Sequence, residues 1–218
     1  MITEEVPDLE TATRIASSGF VQPISDELRQ DVAGHMAGGD VVYGIQEDGQ
    51  FVGFVIFNIW DDILYLSGII IHQDYQRHRH VVESVTKVRR QHLQLKYLAL
   101  RTQSLRMYVA GRKVCSTWLP RVSETTSSEL VRVGKEVAER TNSVFPLHVG
   151  CYGGPLYGEK PVYHDEPLQR WWDELCSFEQ GDAAICVGEL LREYPVPHSG
   201  PPQFDAVAPM PPLPDWCP

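Results

Sequence analysis

The spacing of apolar residues changes several times along this chain, and each change marks a new kind of local structure. In SDELRQDVAGHMA, Leu28, Val32 and Met36 repeat every four positions, which predicts a short helix over residues 25–37 with Ser25 as its N-cap. The period then falls to two. Val41 to Glu47 runs into Asp48-Gly49, a pair suited to the tight turn of a hairpin, and Gln50 to Trp60 follows, rich in β-branched and aromatic residues. A second tight turn at Asp61-Asp62 leads into Ile63 to His72, so the three strands read as an antiparallel meander.

Past His72 the period returns to about 3.6, with Val81, Val85, Val88, His92 and Leu95 on one stripe of an amphipathic helix. Tyr97 to Arg101 is again a strand, so strand, helix and strand form a crossover expected to be parallel and right-handed. The remaining pattern predicts a helix over residues 104–115 and another over Thr126 to Arg140, opened by a Thr126/Glu129 capping box. Phe145 to Cys151 reads as a strand, Gly153-Gly154-Pro155 as a turn, Leu168 to Phe178 as a helix and Asp182 to Leu190 as the last strand. The fold class expected is a mixed α/β sheet, an antiparallel meander followed by one βαβ unit.

Composition narrows this picture. With 218 residues, 43% hydrophobic and 22% charged, the chain has material for one ordinary domain. Nine of its 16 prolines fall after residue 193, so residues 1–193 are expected to form the domain and 194–218 an extended proline-rich tail. Spaced apolar residues in that tail, Phe204, Met210, Leu213 and Trp216, suit a grip on the domain or on a second copy in a homodimer. No apolar run reaches the ~18 residues of a membrane span and the opening lacks a signal-peptide pattern, so the cytoplasm is the expected compartment. Five scattered cysteines offer no metal-ligand spacing, and no metal is expected. A formal charge of -10 makes nucleic acid a poor partner, although Gln76-Arg77-His78-Arg79-His80 is locally basic.

The stretch Leu64 to Arg90 resembles the central motif of the GNAT superfamily of N-acetyltransferases, in which a strand ends in a loop of pattern Q/R-x-x-G-x-G/A that opens a helix. Ile69 to Gln76 matches the strand end and loop entry, with Gln76 at the leading position. Tyr97 to Pro120 resembles the next strand and helix. The resemblance implies acetyl-CoA as cosubstrate, with the backbone of Ile70, Ile71 and His72 holding pantetheine and Gln76, Arg77, His78, Arg79, His80 and Val81 holding the phosphates. The small positions of the pattern fall on Arg79 and Val81, where a Cβ obstructs close approach of backbone amides to a phosphate. Either Arg77 and Arg79 supply charge-assisted bonds instead, or the cofactor no longer binds.

The family often uses a tyrosine of the following helix to protonate the departing thiolate, and Tyr108 stands nearest that position. His72, His148, Asp61, Asp62 and Glu159 are the side chains able to take a proton from an attacking amine. Tyr152 to Gly158, with its glycines and tyrosines, suits either a substrate-facing wall or a tight structural loop. The expected activity is acetyl transfer to a small-molecule or protein amine by direct attack, and the acidic surface fits a cationic amine. The alternative is a GNAT-fold interaction module that has lost acetyl-CoA.

Overall fold

The computed structural model describes residues 1–76, 79–120 and 127–191. A single sheet runs through it in the order β1, β2, β3, β4, β5, β8, β6, with β7 paired to β8. Strands β1 (Ile2–Thr3), β2 (Val41–Glu47), β3 (Gln50–Trp60) and β4 (Ile63–Ile71) pair antiparallel in turn. Positive φ at Asp48 and Gly49 makes the predicted hairpin turn. β4 pairs parallel with β5 (Tyr97–Thr102) through α3 (Arg79–Gln91), the predicted crossover. β5 then pairs antiparallel with β8 (Ala183–Leu190), and β8 with β6 (Cys115–Leu119) and β7 (Leu147–His148).

Helices cover both faces of the sheet. On the first face α3, α4 (Leu105–Arg112) and α6 (Glu166–Leu175) bury Val81, Val85, Val88, Leu105, Trp171 and Trp172 against Val55, Phe57, Leu64, Leu66, Leu98 and Leu100. On the second face α1 (Leu9–Phe20) and α2 (Asp26–Gly38) pack on Phe54 and Ile56, while α5 (Ser128–Arg140) packs on Ile63, Tyr65, Ala99, Ile185 and Val187. The two groups on that face are separate clusters, and this separation leaves room for the site described below.

The structure differs from the sequence expectation in five places. α1 was not anticipated; the Asp8 carboxylate caps it by accepting from the Thr11 N–H at 2.7 Å, and its buried stripe is Ala12, Ile15, Ala16 and Gly19. At Gly19 an added Cβ would lie 2.7 Å from the Ile71 carbonyl oxygen, so glycine lets the helix touch the end of β4. The helix expected to run to residue 115 stops at Arg112, because Cys115–Leu119 instead adds strand β6 to β8. The N-cap of α5 is Ser127, whose hydroxyl accepts from the Leu130 N–H, rather than a Thr126/Glu129 box. Glu129 is occupied by Arg132 and Tyr97, and Thr126 lies outside the described residues. The strand expected over Phe145 to Cys151 shrinks to Leu147–His148, since Gly150 turns the chain at φ 63 and donates its N–H to Asp182. Finally β1 adds a short edge strand that the sequence pattern did not announce.

Candidate functional site

The parallel ladder between β4 and β5 is short. It runs from Ile63 and Tyr97 to Leu66 and Leu100, and there it ends. A bulge sits at the same point: Leu66 pairs with Phe57 and Gly68 with Ile56, which leaves Ser67 as the extra residue. The bulge reverses the side-chain parity of β4. Leu64 and Leu66 belong to the first-face core and so does Ile69, where an unbroken strand would have placed residue 70; Ile70 packs instead beneath α1 and α2. Beyond the bulge Gly68 to Ile71 pairs with β3 on one edge and has no ladder partner on the other among the described residues. β5 meanwhile continues along β8. The sheet therefore parts into a cleft between the ends of β4 and β5, with Ile70, Ile71 and His72 on one bank.

The N-terminus of α3 stands at the end of that bank. Gln76 donates from Nε2 to the Ile71 carbonyl at 3.2 Å and to the Gly19 carbonyl at 3.3 Å, tying the loop to β4 and α1. Arg79 turns away from the helix axis and pairs with Glu47, whose carboxyl it holds below the usual range. Val81 points into the first-face core, and His80 is fully buried. Neither His80 ring nitrogen has a hydrogen-bond partner among the described residues, and burial lowers its pKa. Arg77 and His78 lie outside the described residues. The amides of the first turn of any helix lack internal partners and carry the positive end of its dipole, so this 13-residue helix offers an anion its amino end. Of the described side chains in this first turn, Arg79 is drawn to Glu47 and Val81 to the core. His72 closes the bank, its Nδ1 accepting from the Asp74 N–H at 3.4 Å.

The second-face floor of the cleft is polar. Arg101, half-buried at the end of β5, directs its guanidinium to Nδ1 of His148 at 3.1 Å. A guanidinium can only donate, so this nitrogen accepts and the proton of the neutral ring sits on Nε2. Burial and the neighbouring Arg101 charge both lower the His148 pKa and keep it in that state. Tyr65, Cys151 and Tyr152 lie close enough to feel the Arg101 charge, and burial raises the pKa of each. Tyr65 stacks on Trp60 at 4.4 Å. Among the described residues of the floor Arg101 is a permanent cation; a carboxylate on this side, Asp182, raises the Cys151 pKa and is itself engaged by the Gly150 and Ser177 N–H groups.

Comparisons with known proteins agree with this architecture. The model of the acetyltransferase (GNAT) family matches residues 9–111, a span that holds the meander, the cleft and the crossover helix. Residues 9–111 belong to the GNAT acetyltransferase family. The ribosomal-protein-S18-alanine N-acetyltransferase from Escherichia coli is similar in fold, with a TM-score of 0.51 and 15% identity over 89% of this chain and 96% of that one. An IAA acetyltransferase from Bacillus cereus aligns with a TM-score of 0.48 and 11% identity, over 87% of this chain and 100% of that chain. A GNAT acetyltransferase from Elizabethkingia anophelis, solved with acetyl-CoA bound, aligns with a TM-score of 0.41 and 13% identity, over 80% of this chain and 89% of that one. Comparison with curated proteins found no match.

Within the GNAT segment, Tyr108 occupies the core rather than the cleft. It is 3% exposed, its ring packs against Trp118, Trp171 and Trp172, and its hydroxyl donates to the Pro120 carbonyl at 2.8 Å. Another tyrosine stands at the mouth of the cleft. Tyr157 has its hydroxyl near Ser104, just past β5, and sets its ring edge-on to Phe20 at the end of α1, 5.6 Å away; burial pushes its pKa up to about 12. Its neighbours span the same gap. Leu156 accepts from Gln22 at 2.7 Å and donates to Gln103 at 2.9 Å, and Gly158 donates to the Phe20 carbonyl. Sequence reasoning marked Tyr152 to Gly158 as a candidate wall without singling out Tyr157. It passed over Arg101 altogether, although a charge closing an apolar strand was a visible signal. Asp61 is exposed and pairs with Arg140, Asp62 pairs with Lys96, and Glu159 is exposed; none of them joins the cleft's polar cluster. No group of His, Cys, Asp or Glu among the described residues is arranged to hold a metal, and no described helix is long and apolar enough to cross a membrane.

Proposed function

We propose that the chain transfers an acetyl or related acyl group from its coenzyme A thioester to an amine by direct attack. The observation that carries this reading is the parting of β4 from β5 at Leu66 and Leu100, with the amino end of a long helix at the head of the gap. An extended thioester arm can lie along the free edge of β4 at Ile70, Ile71 and His72, completing the ladder that β5 abandons. Its diphosphate then meets the first turn of α3 between Gln76 and Val81, where Arg77, His78, Arg79 and His80 lie in sequence. Attack by a neutral amine expels a thiolate that needs a proton. Tyr157, at the mouth of the cleft, is better placed to give it than Tyr108, whose hydroxyl is engaged with Pro120.

One observation favours the second reading, a GNAT-fold interaction module: Arg79 is held by Glu47 rather than waiting for a phosphate. Calorimetry with acetyl-CoA separates the two. Saturable binding, weakened by Arg77→Ala with Arg79→Ala, supports the transferase. Absence of binding at millimolar ligand supports the module.

A further inference from the structure

Arg101 places a half-buried guanidinium in the floor of the cleft. Its hydrogen bond to His148 is made to a neutral acceptor, and no carboxylate forms an ion pair with it among the described residues. This is an unusual position for a half-buried guanidinium, which has five N–H donors and no acceptor. One donor serves His148; the others remain for a ligand. His148 in the required tautomer presents a further donor at Nε2. Tyr65 and Tyr152, whose rings lie beside the pair, make no hydrogen bond through their hydroxyls among the described residues. The floor of the cleft is therefore rich in donors and carries a fixed positive charge, an arrangement suited to a carboxylate and hostile to a second cation.

We propose that the acceptor amine of this transferase bears a carboxylate a few bonds from its nitrogen, and that Arg101 and His148 bind that carboxylate. The assignment rests on the acyl-transfer reading above and adds the chemical class of acceptor to it. It also revises the expectation drawn from net charge. The overall charge of -10 draws cations to the surface, but the local cation in the cleft turns away a polyamine and retains an amino acid or an acidic peptide.

The test compares matched acceptors with acetyl-CoA as donor: alanine against alaninamide, the peptide Ala-Asp against Ala-Asn (both amidated at the C-terminus), and spermidine. Charged hydrogen bonds of this kind are worth a factor of ~10 to 100. Alanine should exceed alaninamide by ~10-fold or more in kcat/KM, a ratio that falls below about threefold in Arg101→Gln and is partly kept in Arg101→Lys. The affinity for acetyl-CoA should be the same in all three proteins. A preference confined to the peptide pair assigns the carboxylate to a peptide rather than a free amino acid. Equal use of acid and amide in both pairs, or a preference for spermidine, with acetyl-CoA still bound, overturns the assignment and leaves the transferase reading intact. If acetyl-CoA does not bind, the transferase reading falls and takes the acceptor role with it. Titration of alanine against alaninamide, followed by NMR in wild type and Arg101→Gln, then shows whether the anion site itself exists.

Discussion

Substitution of Gly188 by alanine tests the pairing of β8 with β6, the strand that the sequence pattern did not announce. Gly188 lies in β8 opposite Leu98 of β5 on one side and Trp118 of β6 on the other. A Cβ built there would stand 2.4 Å from the Thr117 carbonyl oxygen, 2.4 Å from Cε3 of Trp118 and 2.9 Å from Cβ of Cys115. Ordinary contacts begin near 3.4 Å, so the overlap is about 1 Å at two atoms at once. Neither is the free end of a flexible chain: one is backbone, the other belongs to an indole 2% exposed. β6 has to move, and overpacking of this kind costs about 1–3 kcal/mol, here toward the upper figure. For a chain of this size each kcal/mol shifts Tm by roughly 2–4 °C, so Gly188→Ala should melt about 6–12 °C lower. Gly34 is the control. It is exposed within α2 with nothing within 4 Å of its added Cβ, and alanine there should stabilise by about 0.5–1 kcal/mol. Thermal melts followed by circular dichroism read both. A Gly188→Ala protein that melts with the parent, while Gly34→Ala rises, would show that β6 does not lie against β8.

Other perturbations address the site. Glu47→Gln releases Arg79; the pair is partly exposed and contributes at most about 1 kcal/mol, so stability should hold while acetyl-CoA affinity rises up to about fivefold, and a loss of affinity excludes Arg79 from the phosphates. Burial lowers the His80 pKa, so the unfolded chain takes up a proton that the folded chain resists. Stability is then complete above the ordinary value of 6.5 and is lost as pH falls below it, toward the folded pKa. Urea titrations at pH 5 and pH 8 should show a smaller difference for His80→Leu than for wild type, and an unchanged difference refutes the account. Tyr108→Phe removes the donor to the Pro120 carbonyl and should cost about 1 kcal/mol of stability with kcat within a few-fold. Tyr157→Phe should lower kcat by roughly 100-fold or more with acetyl-CoA binding retained, and the reverse pattern for the two variants returns the acid role to Tyr108.

The meander and the crossover were legible because their signals are local: paired turn residues at Asp48-Gly49, and a change of period at the start of α3. α1 escaped because its buried stripe is built largely from small residues, Ala12, Ala16 and Gly19, which carry little apolar weight. β6 escaped because Ser116 and Thr117 look like a helix stop and only the edge of β8 makes them a strand. The site divides in the same way. The bank formed by Ile70, Ile71 and His72 followed from one contiguous motif. Arg101 and His148 are 47 positions apart and meet only because β5 and β7 lie on the same stretch of β8, a juxtaposition no single segment encodes.

The crossing from Leu156 to Gly158 bears on how wide the gap between the strands can be. Below Leu66 the two halves of the sheet are stitched by main-chain bonds, which are stiff. At the open end the crossing is tied to α1 by the Gln22 amide and by the Gly158 N–H on the Phe20 carbonyl, and to the β5 side by the Gln103 amide on Leu156. Side-chain hinges of that sort yield more readily than a β-ladder. Substrate entry therefore need not bend the sheet; it can proceed by release of Gln103, with the crossing still carried on α1 by Gln22 and Gly158.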